Sequence, residues 1–157
     1  MAIPIERFPK WIQQTVLQMR DNVAGIQTRA AIDIGDELLQ HSPVRTGNFQ
    51  HGWNLESSRS AALRYRETTA DSRGNVRGVN YATTIAKYKS RFESLKNALL
   101  NGKDLWLGNA VPYAGRVPSI RRVPWNQIAS EEFSRSVRRS LDRGDMLRGV
   151  GRKVGGG

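Results

Sequence analysis

The chain has no cysteine among its 157 residues. That excludes a disulfide framework, a thiol nucleophile and any zinc site built on sulfur. Histidine is nearly as scarce. His41 and His51 are the only two, and they read as structural or exposed side chains, so no metal site is expected. No apolar run approaches the length of a membrane span. Arg7 and Lys10 near the start are not followed by an apolar segment, so a signal peptide is not expected. No glycine-rich phosphate loop follows a strand pattern, since Gly149-x-Gly151 lies in a basic tail. Glu131 and Glu132 read as carboxylates near a helix start. No arrangement of nucleophile and base appears. Neither an enzyme nor a cofactor is expected. Aromatic residues make up 8% of the chain and mean hydropathy is −0.55. This is polar for a compact monomer and suits a subunit whose remaining apolar surface meets neighbours.

What the chain has in excess is positive charge, at a net +11. Residues 1–60 hold six basic and six acidic side chains, residues 61–114 nine and four, and residues 115–157 ten and four. The excess therefore lies in the middle and at the C-terminal end. Such a bias favours an anionic partner, either nucleic acid or an acidic protein surface. Arg135, Arg138, Arg139 and Arg143 fall within a few helical turns, and Arg148, Arg152 and Lys153 follow. Together they are candidates for facing a partner or a DNA backbone. No aromatic is interleaved among them, so base stacking is not expected there, and any DNA contact would be blind to sequence.

Apolar spacing predicts the elements. Residues 10–20 read as one helix, with Trp11 or Ile12, Val16 and Met19 inward, and Asp21 or Asn22 as the cap of a second. In that second helix Val23, Ile26, Ala30, Ile34 and Leu38 form one stripe. Trp53 and Leu55 alternate with polar neighbours as a strand does. Leu63 and Tyr65 suggest a hairpin partner, with residues 57–61 as the turn. Residues 70–78 read as a loop. Tyr81, Ile85, Tyr88, Phe92, Leu95 and Leu99 then step by four and three, a seam on a helix of about five turns. Asn101-Gly102 ends it. Leu105, Trp106 and Leu107 read as a strand inside the sheet. Ala129, Phe133, Val137 and Leu141 mark a C-terminal helix.

Two short stretches stand out against this pattern. Residues 42–53 read Ser-Pro-Val-Arg-Thr-Gly-Asn-Phe-Gln-His-Gly-Trp. Pro43 disfavours helix at Ser42, Val44 plugs the corner, and Thr46, Gly47 and Asn48 signal a turn. Residues 109–114 read Asn-Ala-Val-Pro-Tyr-Ala. Taken together, Pro43, Val44, Thr46, Gly47 and Trp53 with Asn109, Pro112, Tyr113 and Ala114 resemble the paired core motif of phage tail-completion, or neck, proteins. The resemblance covers about residues 22–142, with the helix over residues 81–99 as an insert. Where that family continues to a Glu and a Gly-Thr turn, this chain reads Gly115-Arg116-Val117-Pro118.

The fold expected is α+β: a small antiparallel sheet flanked by an N-terminal helical segment and a C-terminal helix, with a helical insert between strands. Residues 1–143 form one domain, and residues 144–157 a basic, Gly-rich tail held in order by a partner. The resemblance implies a structural subunit of a homo-oligomeric ring, of six or twelve copies, in the virion neck. It would be made in the host cytoplasm. Its partners would be the connector or adaptor, the tail-tube or terminator proteins, and duplex DNA in passage. No membrane partner is expected. Charge alone implies the alternative, a non-specific nucleic-acid-binding protein.

Overall fold

The structure, a computed structural model, describes residues 4–43, 48–64, 81–114, 116 and 122–150. The fold is α+β and mostly helical, with one two-stranded antiparallel sheet. A 3-10 turn at Ile5–Arg7 leads into α1, Lys10–Gln40. Short α2, Asn48–His51, precedes β1, Trp53–Glu56, and short α3, Arg59–Ala62. Then come α4, Tyr81–Ser90, α5, Phe92–Leu100, and β2, Trp106–Asn109. Helix α6, Trp125–Asp142, and a second 3-10 turn at Asp145–Leu147 complete the described chain.

The two helices expected at the start are one helix of 31 residues. Asp21 and Asn22 do not cap anything. Nothing there breaks the backbone, and both side chains serve as attachment points instead. Asp21 pairs with Lys96 of α5 at 3.2 Å, and the Asn22 amide donates to the Met146 and Arg148 carbonyls at 2.8 and 3.0 Å. Downstream, Ile26, Ala30 and Leu38 of the expected stripe are buried, and Ile34 packs against the core. Upstream, Trp11 and Val16 are exposed rather than inward.

The expected hairpin is replaced by a longer-range pairing. Strand β1 pairs with β2, in the register Trp53↔Asn109 and Leu55↔Leu107. Ser58 Oγ accepts from the Ala61 N–H and so starts a helix where the turn was expected. Asn54 Nδ2 then donates to the Ala62 carbonyl at 3.2 Å, which holds α3 against the sheet. Leu63 is exposed after α3. Tyr65 and the loop over 70–78 lie outside the described residues. Among the described residues β2 pairs with β1 alone, so it is an edge there, and Trp106 is exposed.

The seam over residues 81–99 breaks at Arg91 into α4 and α5. The Arg91 guanidinium grips both Glu56 carboxylate oxygens at 2.7 Å and donates to the Leu55 carbonyl at 3.0 Å. The break therefore docks the helix pair onto β1. Ile85, Tyr88 and Leu95 are buried across it, with Tyr81 and Phe92 packed alongside. They join Leu39, Phe49, Trp53, Leu55 and Val111 in one hydrophobic core.

Helix α6 reverses its expected sides. Phe133 is 46% exposed and Leu141 is exposed with it, whereas Glu132, Ser136 and Ser140 are buried. The face that α6 lays against α1 carries Glu132, Ser136 and Ser140, each about 100° round the helix from the residue that follows it, while Ala129 and Val137 are half-buried at its margin. The surface of α1 facing this helix carries Arg29 and Asp33, and small hydroxyl residues can approach it while hydrogen-bonding. Ser136 Oγ donates to Asp33 at 2.5 Å, and Ser140 Oγ accepts from Arg29 at 3.4 Å.

Candidate functional site

The two motif stretches, more than fifty residues apart in sequence, meet at one corner of the fold. The end of α1 supplies the first tie. Ser42 Oγ donates to the Leu38 carbonyl at 2.7 Å and accepts from the Trp53 indole Nε1 at 2.8 Å. A hydroxyl able to accept and donate at once therefore fixes Trp53 against the helix end. Gln50 adds a bond from its amide to the Leu39 carbonyl at 3.2 Å. Trp53 is buried, and its ring lies 5.6 Å from Trp125 and 6.1 Å from Phe49.

Asn109 closes the corner from the other side. Its Nδ2 donates to the Phe49 carbonyl at 2.9 Å, and its Oδ1 accepts from the Val111 N–H at 3.1 Å. The Ala110 N–H donates to the Gly52 carbonyl at 2.9 Å. Gly52 leaves no room for a side chain. A Cβ there would lie 2.5 Å from Asn109 Oδ1 and 2.6 Å from Val111 Cγ1. Tyr113 and Ala114 are half-buried against the core, whereas Pro112 is exposed. Pro43 is half-buried at the end of α1. Val44, Thr46 and Gly47, and most of the segment over 115–121, lie outside the described residues. The sequence reading missed Ser42, Gly52, Gln50 and Trp125 as members of this corner. Ser42 beside Pro43 was the available signal, since a serine at a helix end commonly bonds backbone.

The basic residues are not one open surface. Arg139 bonds Glu132 at 2.6 Å and Asp33 at 3.1 Å, and Arg135 bonds the other Glu132 oxygen at 3.2 Å. Glu132, only 5% exposed, takes both guanidinium groups. It lies well inside α6, since the helix begins at Trp125 rather than just ahead of the glutamates. Its role is this ion pair and not the helix dipole. Arg143 bonds Asp145 at 3.3 Å. Arg138 is exposed and forms no ion pair among the described residues. Arg152 and Lys153 lie outside them.

The described start of the tail, residues 144–150, is tied to α1 of its own chain. Asp145, buried beside α1, accepts from Arg29 at 2.7 Å, and Arg148 approaches at 3.9 Å. Burial raises the carboxyl's pKa, but the charges and hydrogen bonds of Arg29 and Arg143 outweigh that and hold it below the ordinary 3.8. A depressed folded pKa means the clasp contributes stability above about pH 3.8, and this is lost as pH falls through the folded value. Melting of the wild type should thus exceed that of Asp145→Asn by a constant margin near neutrality, and the margin should close below pH 3.8. A margin that persists in acid would contradict the clasp.

No group of three or more potential metal ligands occurs among the described residues. His41 faces Glu37 of the same helix at 3.9 Å. No helix of the described residues is long and apolar enough to cross a membrane. No protein-family model, curated protein or solved structure matches the chain.

Proposed function

We propose that this chain is a structural subunit of a homo-oligomeric ring in the neck of a tailed phage. The ring joins the head connector to the tail and gives DNA a passage. The observation that carries this reading is the convergence of the two motif halves. Trp53 and Asn109 sit opposite each other in the register of the sheet, and Asn109 bonds the backbone on both sides of the corner. Trp53 and Asn109, one described residue from each motif half, thus serve one corner rather than two unrelated turns. The corner holds packed aromatic rings and backbone hydrogen bonds, which suits a scaffold. Copy number of six or twelve, contacts to connector, tail-tube or terminator proteins, and a place in the virion belong to this proposal.

The alternative, a sequence-blind nucleic-acid binder, rests on the net charge of +11. It draws less support from α6, where Arg135, Arg139 and Arg143 are engaged with carboxylates. Silencing the gene in its phage separates the two readings. DNA-filled heads and finished tails should accumulate unjoined. Normal yields of joined particles, together with a steeply salt-dependent affinity of the purified chain for duplex DNA, would overturn the ring reading.

A further inference from the structure

Helix α6 lies on the body of the protein along a polar seam. Trp125 and Ile128, in its first turn, pack against the hydrophobic core, and no later residue of the described chain does. Over residues 129–147 only Ala129, Val137 and Met146 are half-buried apolar side chains, while Phe133, Leu141 and Leu147 are exposed. The ties that cross from α1 to this segment are hydrogen bonds and ion pairs. Arg29 donates to Asp145 at 2.7 Å and to Ser140 Oγ at 3.4 Å. Asp33 accepts from Ser136 Oγ at 2.5 Å and from Arg139 at 3.1 Å. The Asn22 amide donates to the Met146 carbonyl at 2.8 Å.

Three features make this seam separable. Arg29 and Arg139 are both part-exposed, and ion pairs of such guanidinium groups contribute little net stability, because water competes for them. The charges are also matched within the segment itself. Glu132 holds Arg135 at 3.2 Å and Arg139 at 2.6 Å, and Asp145 holds Arg143 at 3.3 Å. Both buried carboxylates therefore keep an arginine of their own when the segment leaves α1. That avoids the large penalty of a buried charge left without a partner. Only Arg29 and Asp33 lose ion-pair partners, and both lie part-exposed on α1, where water can replace them. Finally, the core closes without this segment. Leu39, Trp53, Leu55, Tyr88 and Leu95 belong to one cluster that includes no residue beyond Ile128.

We propose that residues 129–147 are a latched arm. They leave α1 as one unit, pivoting behind Trp125 and Ile128, while the core stays folded. The opening is sub-global, because it breaks the Arg29, Asp33 and Asn22 ties and leaves the core cluster closed. An isolated helix of this length is marginal in water, so undocking exposes its amides to exchange. The device gives the fold a movable element at its basic end, and it stands independently of the neck reading.

The test is hydrogen exchange on the full chain, read segment by segment by mass spectrometry. Amides of residues 129–142 should exchange at least about tenfold faster than those of α5. Arg29→Gln with Asp33→Asn removes both ion pairs that cross the seam and leaves those within the arm. It should speed exchange over residues 129–147 by about tenfold more and leave α5 and the sheet unchanged. A second readout uses the absence of cysteine. Ser140 is fully buried, so in Ser140→Cys the single thiol is reached only when the arm opens. Its labelling should outpace global unfolding and should quicken as salt screens the Arg29 and Asp33 pairs. Protection of residues 129–142 equal to that of α5, substitutions that loosen the whole chain alike, or a thiol that reacts only at the rate of global unfolding would each overturn the proposal.

Discussion

Tyr88→Ala should cost about 3–5 kcal/mol, the range for removing a large buried ring. Tyr88 is 1% exposed and lies where α4, α1 and β1 meet. Its ring rests against Gly35 of α1, where an added Cβ would come within 2.8 Å of it. Its Oη donates to the Trp53 carbonyl at 2.9 Å. Truncation therefore leaves a cavity and also strips a buried carbonyl of its partner. The phenol stays neutral, because burial, helped by the Glu56 charge, pushes its pKa well up. Tyr88→Phe isolates the hydrogen bond and should cost only about 1 kcal/mol. For a domain of this size each kcal/mol lowers the melting temperature by about 2–4 °C. Equal melting of the alanine variant and wild type would mean that this helix does not pack as described.

Gly52→Ala comes second, at roughly 2–4 kcal/mol, combining overpacking with lost hydrogen bonds. The new methyl would meet Asn109 Oδ1 at 2.5 Å and Val111 Cγ1 at 2.6 Å. A flexible side chain could step aside cheaply, but Asn109 is tied at both ends, to Phe49 and Val111. Displacing it undoes the junction between the two motif halves. Thermal melting checks the size of the effect. Asn109→Ala should cost less by itself, and the two substitutions should be non-additive, because they remove the same contacts. Full additivity would show that Asn109 is displaced for some other reason or not at all.

How far the sequence could be read follows from what each residue faces. Ile26, Ala30, Leu38, Tyr88 and Leu95 bury apolar side chains on helices, and their spacing alone placed them in the core. Trp53 and Leu55 revealed β1 by alternation, but not its partner. The true partner lies some fifty residues on, at Trp106–Asn109, and local patterning carries no information at that range. The reversed sides of α6 were hidden for a different reason. Ser136 and Ser140 look like solvent-facing residues until the Arg29 and Asp33 surface that they meet is known. Asp21 and Asn22 resembled caps because those residue types favour helix starts; only the fold shows them reaching Lys96 and the 3-10 turn. At the corner, Trp53 and Asn109 were legible from the resemblance. Ser42 and Gly52 were not, since their roles arise from the close approach of two distant segments.

The central claim, a ring subunit at the head–tail junction, is tested most directly by imaging. A phage carrying a small electron-dense tag on this chain should show one ring of label between head and tail in every complete particle. Label scattered over the capsid or along the tail, or absent from purified particles, would contradict it.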